Sequence, residues 1–158
     1  MKDNIIEKQL RNNVYTWVEV LFRDKVDKSG VPYINHLITV EKGVNSYKER
    51  IVALLHDVIE DTNKTGCDLM IELGIPYDLV KSVERLTRDK NETYSNYINR
   101  LLNSDDLIAL KVKKADLEHN MDLSRITNPT RKDIDRIEKR YKPAYKKVKE
   151  VIERIENI

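Results

Sequence analysis

The stretch Leu55-His56-Asp57-Val58-Ile59-Glu60-Asp61-Thr62 sets a histidine-aspartate pair and two further carboxylates on one short segment. Apolar side chains recur at helical spacing through this stretch and the turn before it, which predicts a helix with its polar residues on one arc. At i, i+4 spacing, His56 then lies above Glu60, and Asp57 lies above Asp61. The predicted helix therefore presents one histidine and three acids on the same face.

An ordinary solvated helix face is the alternative interpretation of that arc. A solvated face in a chain this rich in lysine would normally mix charges, whereas Asp57, Glu60 and Asp61 form an unrelieved acidic cluster. Carboxylates this close repel one another and need a cation. The charge pattern therefore favours a bound positive ion.

Length and composition indicate the fold class. The 158 residues suffice to bury a real core, and we expect residues 1–158 to form a single domain. With only four Gly and four Pro, the composition disfavours a turn-rich all-β design. Long runs of Lys, Glu, Leu and Ile favour helices. We predict an all-α helical bundle of about eight helices.

Charge and cysteine content indicate the environment. The net charge of +2 recommends no particular partner, and the single cysteine, Cys67, cannot form an intrachain disulfide. A reducing compartment is therefore expected. No run approaches the roughly 18 apolar residues that a membrane span requires. These features predict a cytoplasmic protein without a membrane partner, and they leave its oligomeric state open.

Capping residues and helix breakers predict the helix boundaries. Pro32 suits the first turn of a second helix, and Ser46 with Glu49 forms a capping box for the helix that carries the acidic cluster. A final helix is predicted for residues 130–155, with a bend at Pro143.

Two histidines and two aspartates are candidate metal ligands. They are His36 on the second helix, His56 and Asp57 on the third, and Asp116 on a long late helix. Two imidazoles and two carboxylates form a mixed nitrogen and oxygen site, which suits one divalent ion such as Mn²⁺, Fe²⁺, Co²⁺ or Zn²⁺. Such a site leaves positions open for water and a substrate oxygen.

Each ligand has a simpler interpretation. His36 could be a hydrogen-bonded structural residue, and Asp116 could be solvated among the neighbouring lysines. The third histidine, His119, points about 60° away from Asp116 on an ideal helix and is interpreted as structural.

Glu60 and Asp61 are predicted to have catalytic duties. They lie one turn beyond the ligands, and therefore beside any bound ion. A metal makes a water molecule acidic enough to attack near neutral pH, and a nearby carboxylate can take its proton or hold it in line. Hydrolysis of a phosphoester or phosphoanhydride fits these groups. Lys28 could neutralise substrate phosphates, although an ordinary loop lysine is the simpler interpretation.

Three motifs carry a family resemblance. In order along the chain they are Gly30-Val31-Pro32-Tyr33-Ile34-Asn35-His36, Ala53-Leu54-Leu55-His56-Asp57-Val58-Ile59-Glu60-Asp61-Thr62 and Lys114-Ala115-Asp116-Leu117-Glu118-His119-Asn120-Met121. Together they resemble HD-domain metal-dependent phosphohydrolases. Within that superfamily the chain is similar to the (p)ppGpp hydrolase domains of the RelA/SpoT type and their stand-alone relatives, from about Arg23 to Tyr145.

The resemblance implies an all-α HD fold and one Mn²⁺ ion held by the four candidate ligands. It implies that Glu60 and Asp61 handle the attacking water and that Asn120 lies by the nucleotide. In those hydrolases the water attacks the 3′-diphosphate and releases pyrophosphate. Arg125 and Arg140 are further candidate phosphate contacts by charge and position, with an ordinary surface location as the alternative.

The chain also departs from those hydrolases. They usually carry an Arg-Lys pair where this chain has Asp27-Lys28, so one basic contact has become acidic. After the metal aspartate, Leu117 replaces an arginine and Glu118 a leucine. An acid near a highly phosphorylated nucleotide would cost favourable charge pairing.

The sequence leaves other functions open. A nucleoside monophosphate phosphatase would share the ligand set, although the Glu60-Asp61 pair favours the (p)ppGpp hydrolase branch. A non-catalytic nucleotide sensor is a second alternative. A nucleic-acid-binding module is a third, because residues 131–149 carry nine Lys or Arg against three acids. The acidic cluster would repel a nucleic acid, so the predicted partner is a small nucleotide.

Overall fold

Capping boxes start three of the helices. Ser46 Oγ accepts a hydrogen bond from the Glu49 N–H at 3.1 Å, and the Glu49 carboxylate accepts the Ser46 N–H at 3.1 Å. Thr65 and Thr130 form the same reciprocal arrangement with the aspartates three residues later. Each box satisfies two backbone donors that a helix start would otherwise leave free. The Ser46 box starts the helix that leads into His56 and Asp57, and the Thr130 box starts the helix that carries Arg136.

The computed structural model describes residues 2–158, and Met1 of the predicted domain lies outside the described residues. Within residues 2–158 the structure has no strand, only one isolated bridge between Val26 and Pro32. The helices are α1 (Lys2–Leu21), α2 (Ile34–Lys42), α3 (Tyr47–Leu55), α4 (Val58–Asp61), α5 (Gly66–Leu73), α6 (Tyr77–Leu86), α7 (Tyr94–Leu102), α8 (Leu107–Asn120), α9 (Arg131–Arg136) and α10 (Lys142–Glu156). A 3₁₀ turn covers Leu123–Arg125, and a π-turn covers Ile137–Tyr141. The predicted all-α class is confirmed.

Helix α3 lies in the centre of the core. Its residues 51–55 are all fully buried, and the helix packs against α1, α2, α6 and α8. Helix α8 packs in turn on α2, α3 and α10. Helix α3 is apolar on every side over its last turn, and the polar pair His56 and Asp57 follows directly after it.

The helix with the acidic cluster is interrupted, which differs from the prediction. Helix α3 ends at Leu55, His56 and Asp57 form a turn, and α4 begins at Val58. The carbonyl oxygen of Ala53 lies 2.6 Å from Nδ1 of His56, although a continuous helix would use that carbonyl for the Asp57 N–H. The segment is therefore not the predicted continuous helix, although the Asp61 N–H still donates to the Asp57 carbonyl at 2.9 Å and keeps the predicted i, i+4 relation of those two residues.

The predicted final helix is also interrupted. The π-turn separates α9 from α10, and Pro143 lies in the first turn of α10. Proline has no N–H and clashes with the carbonyl four residues earlier, here that of Lys139 inside the π-turn. A π-turn adds one residue to the helical circuit and is frequent at functional sites. Two of the eight predicted helices are thus each split in two.

Helices α2 and α8 approach closely at Gly43. A Cβ atom added to Gly43 would lie 2.8 Å from the Cβ of Ala115, which neighbours Asp116. Ala115 has no flexible side chain that could move aside, so the backbones would have to separate. This close approach holds His36 on α2 near Asp116 on α8.

Gly43→Ala is expected to lower the free energy of unfolding by about 1–3 kcal/mol, because overpacking displaces the two helices. Urea denaturation measures the change. Ala115→Gly supplies the matched background, since in that variant the added methyl group has room and should cost little. Equal costs of Gly43→Ala in both backgrounds would contradict the packing argument.

None of the helices within residues 2–158 is long and apolar enough to cross a membrane.

Candidate metal centre and active site

The structure brings the four candidate ligands together. Nε2 of His36 lies 3.1 Å from Oδ1 of Asp116 and 3.5 Å from Oδ2 of Asp57. Nε2 of His56 lies 3.2 Å from Oδ2 of Asp57 and 3.5 Å from Oδ1 of Asp116. Atoms that bind one ion at about 2.1 Å stand roughly 3 to 3.5 Å apart. The spacing of the His36, His56 and Asp116 atoms therefore fits one divalent ion, and Oδ2 of Asp57 lies within 3.5 Å of both imidazole nitrogens.

The nitrogen that His56 turns toward this centre gives an independent test of the fit. Nε2 of His56 is buried and has no hydrogen-bond partner among residues 2–158. The other ring nitrogen, Nδ1, is held by the carbonyl of Ala53 at 2.6 Å. A metal-binding histidine usually has one nitrogen fixed by such a contact and the other free for the ion. His56 has this arrangement.

Neighbouring side chains orient both carboxylates. Lys113 Nζ donates to Oδ2 of Asp116 at 2.9 Å, and Asn120 Nδ2 donates to Oδ1 at 3.1 Å. The Tyr33 hydroxyl donates to Oδ2 of Asp57. Burial would raise the pKa of the Asp116 carboxyl, but the Lys113 ammonium and the two imidazoles hold that pKa well below its usual range. Asp116 is therefore ionised, as a metal ligand has to be.

His119 contacts the site, although the sequence suggested a structural role. Its Nδ1 lies 2.6 Å from Nδ1 of His36, and the two rings lie edge to edge, nearly coplanar, with centroids 4.9 Å apart. Burial and the nearby Arg125 guanidinium lower the pKa of His119 to about 4. The neutral ring of His119 thus lies directly behind His36.

Glu60 and Asp61 lie on the wall of the same cavity in different surroundings. Oε1 of Glu60 accepts the backbone N–H of Arg88 at 2.8 Å, and partial burial raises the pKa of Glu60. Oδ2 of Asp61 pairs with Lys25 Nζ at 3.0 Å. Burial therefore favours the protonated form of Glu60, whereas Asp61 has a cation beside it.

Two adjoining cavities surround these groups. The smaller one, of about 340 Å³, contains the four candidate ligands, Glu60 and Asp61. The larger one has a volume of about 680 Å³. Five residues line both cavities, and we call them the shared wall: Tyr33, His36, Asn120, Arg136 and Tyr141. The metal centre therefore adjoins, across the shared wall, a cavity large enough for a small molecule.

The candidate substrate-binding residues divide between the two cavities. Lys28 and Arg125 line the larger cavity, Arg140 lines the smaller one, and Asn120 belongs to the shared wall. Asp27 is turned into its own loop, where its Oδ1 accepts the N–H groups of Ser29 and Val31.

Some residues at the site were not predicted. They are Lys25, Tyr33, Arg88, Tyr94, Lys113 and Arg136. Lys113 could have been found, because it lies one helical turn before Asp116 and can reach its carboxylate. The others come from separate elements, and their spacing in the sequence gives no signal of proximity.

Comparison with known proteins finds sequence relatives and a structural neighbour with the same fold. No protein-family model matches the sequence. The chain is 35% identical over 104 residues to the bifunctional (p)ppGpp synthase/hydrolase SpoT of Escherichia coli, covering 59% of this chain and 15% of SpoT. It is 33% identical over 112 residues to the mouse guanosine-3′,5′-bis(diphosphate) 3′-pyrophosphohydrolase MESH1, covering 64% of this chain and 61% of MESH1. The chain thus spans less than two thirds of the length of either relative.

A solved structure, described as a metazoan orthologue of SpoT that hydrolyses ppGpp, has the same fold. Its TM-score is 0.66 at 22% sequence identity, over 92% of this chain and 93% of that one. The chain therefore has the all-α HD fold of that neighbour. In sequence, the chain is similar to the SpoT and MESH1 3′-pyrophosphohydrolases.

Proposed function

We propose that the chain is a metal-dependent phosphohydrolase of a small nucleotide, of the (p)ppGpp 3′-pyrophosphohydrolase type. The observation that carries the proposal is the convergence of two imidazoles and two carboxylates, with each imidazole Nε2 within 3.1 to 3.5 Å of an oxygen of both carboxylates, beside Glu60. The sequence relatives support the same reaction class.

The four candidate ligands would hold one divalent ion, for which Mn²⁺ is our first choice, with Fe²⁺, Co²⁺ and Zn²⁺ also compatible with the donor set. When bound, the metal would acidify a water molecule and polarise a phosphoryl oxygen. Tyr33, Lys113 and Asn120 would keep the two carboxylates in place, because each donates a hydrogen bond to one of them.

Glu60 is the proposed general base. Its raised pKa brings its basicity closer to neutral pH, where a base is most useful, and its position in the same cavity allows it to take a proton from water. Asp61 is proposed to orient the water. Its ion pair with Lys25 at 3.0 Å holds the carboxylate in one position, which suits the orientation of a water molecule.

The smaller cavity supplies cations for a phosphate group. Lys113 and three arginines, Arg88, Arg136 and Arg140, line it. The Tyr94 hydroxyl also lies on this wall, is buried, and has no hydrogen-bond partner within residues 2–158. Cations and a free donor around the metal centre favour a scissile group with several anionic oxygens.

The larger cavity would hold the rest of the nucleotide. Its volume of about 680 Å³ is within the usual range for small-molecule sites. Lys28, Arg125 and Asn120 line it and are proposed to contact the substrate there.

Asp27, the acid at a usually basic position, is partly neutralised. Its Oδ1 accepts two backbone N–H groups, and its Oδ2 lies 3.8 Å from an Arg125 nitrogen. These contacts reduce the repulsion that Asp27 would exert on substrate phosphates. Asp27 therefore remains compatible with a highly phosphorylated nucleotide. Cytoplasmic location also remains part of the proposal, and the chain's oligomeric state is left open.

A nucleotide panel with Mn²⁺, read by product identity, tests the proposal. We expect release of pyrophosphate from guanosine 3′,5′-bis(diphosphate) or a close analogue, and the same protein after chelation serves as the control. Release of single phosphate from nucleoside monophosphates would instead identify a phosphatase. Absence of turnover for every nucleotide, with Mn²⁺ bound, would refute both enzyme functions and leave a sensor.

A further inference from the structure

The imidazole of His36 has a second histidine behind it. Its Nδ1 lies 2.6 Å from Nδ1 of His119, and the rings are inclined by only 20°. The opposite nitrogen, Nε2, points at the carboxylates of Asp57 and Asp116. His36 therefore uses its two ring nitrogens for different partners, one for the proposed metal centre and one for His119.

The short contact between two Nδ1 atoms allows only one of them to carry the hydrogen. A neutral imidazole has one N–H and one lone pair. If Nε2 of His36 gives its lone pair to a metal, its Nδ1 carries the hydrogen and donates. Nδ1 of His119 then has to be the acceptor. The geometry thus pairs a metal-binding form of His36 with one particular tautomer of His119.

The backbone of His119 is held by Arg125. Arg125 Nε donates to the carbonyl oxygen of His119 at 2.9 Å. A terminal nitrogen of the same guanidinium donates to Oδ1 of Asn120 at 3.1 Å, and Asn120 donates to Asp116. One arginine therefore supports the two residues that contact His36 and Asp116.

We propose that His119 is a positioning residue for the metal, because it accepts the Nδ1 hydrogen of His36 and leaves Nε2 of His36 as the metal donor. The proposal deepens the proposed function, since it requires that a metal binds. It assigns no contact between His119 and the substrate. Its effect is on the affinity for the ion and does not depend on any nucleotide.

Calorimetric titration of the metal-free protein with Mn²⁺ tests the role. His119→Ala is expected to weaken Mn²⁺ binding by about 10- to 100-fold, because loss of a supporting hydrogen bond to a ligand has effects of that size. His119→Asn is expected to stay within a few-fold of the wild type, because its side-chain oxygen can accept in place of Nδ1. Glu118→Gln is the matched control, since Glu118 is the exposed neighbour on the same helix. It should bind like the wild type.

Two titration results would overturn the proposal. One is wild-type affinity in His119→Ala, and the other is a loss in His119→Asn as large as in His119→Ala. Circular dichroism of each variant establishes that it folds. His119 is only partly buried, so its truncation should be tolerated.

The tautomers can be read directly in the wild-type protein loaded with Zn²⁺. Long-range ¹H–¹⁵N spectra should show hydrogen on Nδ1 of His36 and none on Nδ1 of His119. The opposite assignment would overturn the proposal. Both experiments omit nucleotide, so they test the role of His119 separately from hydrolysis. If the metal affinities are as expected but the protein hydrolyses no nucleotide, only the proposed function is refuted.

Discussion

Asp57→Ala is expected to abolish both Mn²⁺ binding and turnover. The variant removes an oxygen that lies within 3.5 Å of both ligand imidazoles and accepts from Tyr33. Loss of a direct ligand should exceed the roughly 10- to 100-fold effect of losing a supporting contact. We therefore expect more than about 100-fold weaker Mn²⁺ binding by calorimetry, with turnover at background.

Asp122→Asn is the control for this charge change. Asp122 lies just beyond α8, and its hydrogen bonds go to Ser124. It should bind Mn²⁺ and turn over like the wild type. Mn²⁺ affinity near the wild-type value in folded Asp57→Ala would remove Asp57 from the ligand set, and full activity would remove the metal centre from the mechanism.

Glu60→Gln is expected to leave Mn²⁺ affinity within a few-fold of the wild type and to lower kcat by about 10²- to 10⁴-fold, the usual size of general-base catalysis. The Glu60 carboxylate accepts the backbone N–H of Arg88, and no ligand imidazole pairs with it. The glutamine keeps an oxygen for that bond but cannot accept a proton. Steady-state kinetics and Mn²⁺ titration of the same samples separate the two effects.

The pH profile gives a second measurement on Glu60. Partial burial raises the pKa of this carboxyl. Below its pKa the group is protonated and cannot act as a base, so kcat of the wild type should fall as pH falls, beginning above the usual carboxyl range. The variant should lack this limb. Asp61→Asn is the comparison, because the pairing of Asp61 with Lys25 predicts an orienting role and a smaller loss. An unchanged limb in Glu60→Gln would assign the proton transfer to another group.

Local sequence rules predicted the elements that depend on neighbouring residues. The capping boxes at Ser46 and Thr130 start helices where the sequence indicated, because both partners of each box lie within three residues. The four candidate ligands also lie close together. The sequence predicted this because the order of the three motifs indicates which helices have to meet. Their metal-binding role stays a prediction.

Features that depend on tertiary contacts could not be predicted. The break after Leu55 accompanies the contact of the His56 ring with the Ala53 carbonyl, and ring orientation is not encoded in apolar periodicity. The contact between His36 and His119 joins residues 83 positions apart, and it depends on the approach of α2 to α8 at Gly43. The sequence predicts a bend at Pro143, whereas the structure has a π-turn just before it, because a proline gives the same sequence signal for a bend and for a π-turn.

The shared wall between the two cavities links two equilibria. His36 belongs to that wall and also offers an atom to the metal centre. A molecule that contacts the His36 ring from the larger cavity therefore contacts a side chain that would bind the ion. By thermodynamic reciprocity, whatever factor an occupant of the larger cavity applies to ion retention, the ion applies to that occupant. In a phosphohydrolase of the proposed type, ion uptake and nucleotide capture would therefore be cooperative, or antagonistic, to one and the same degree.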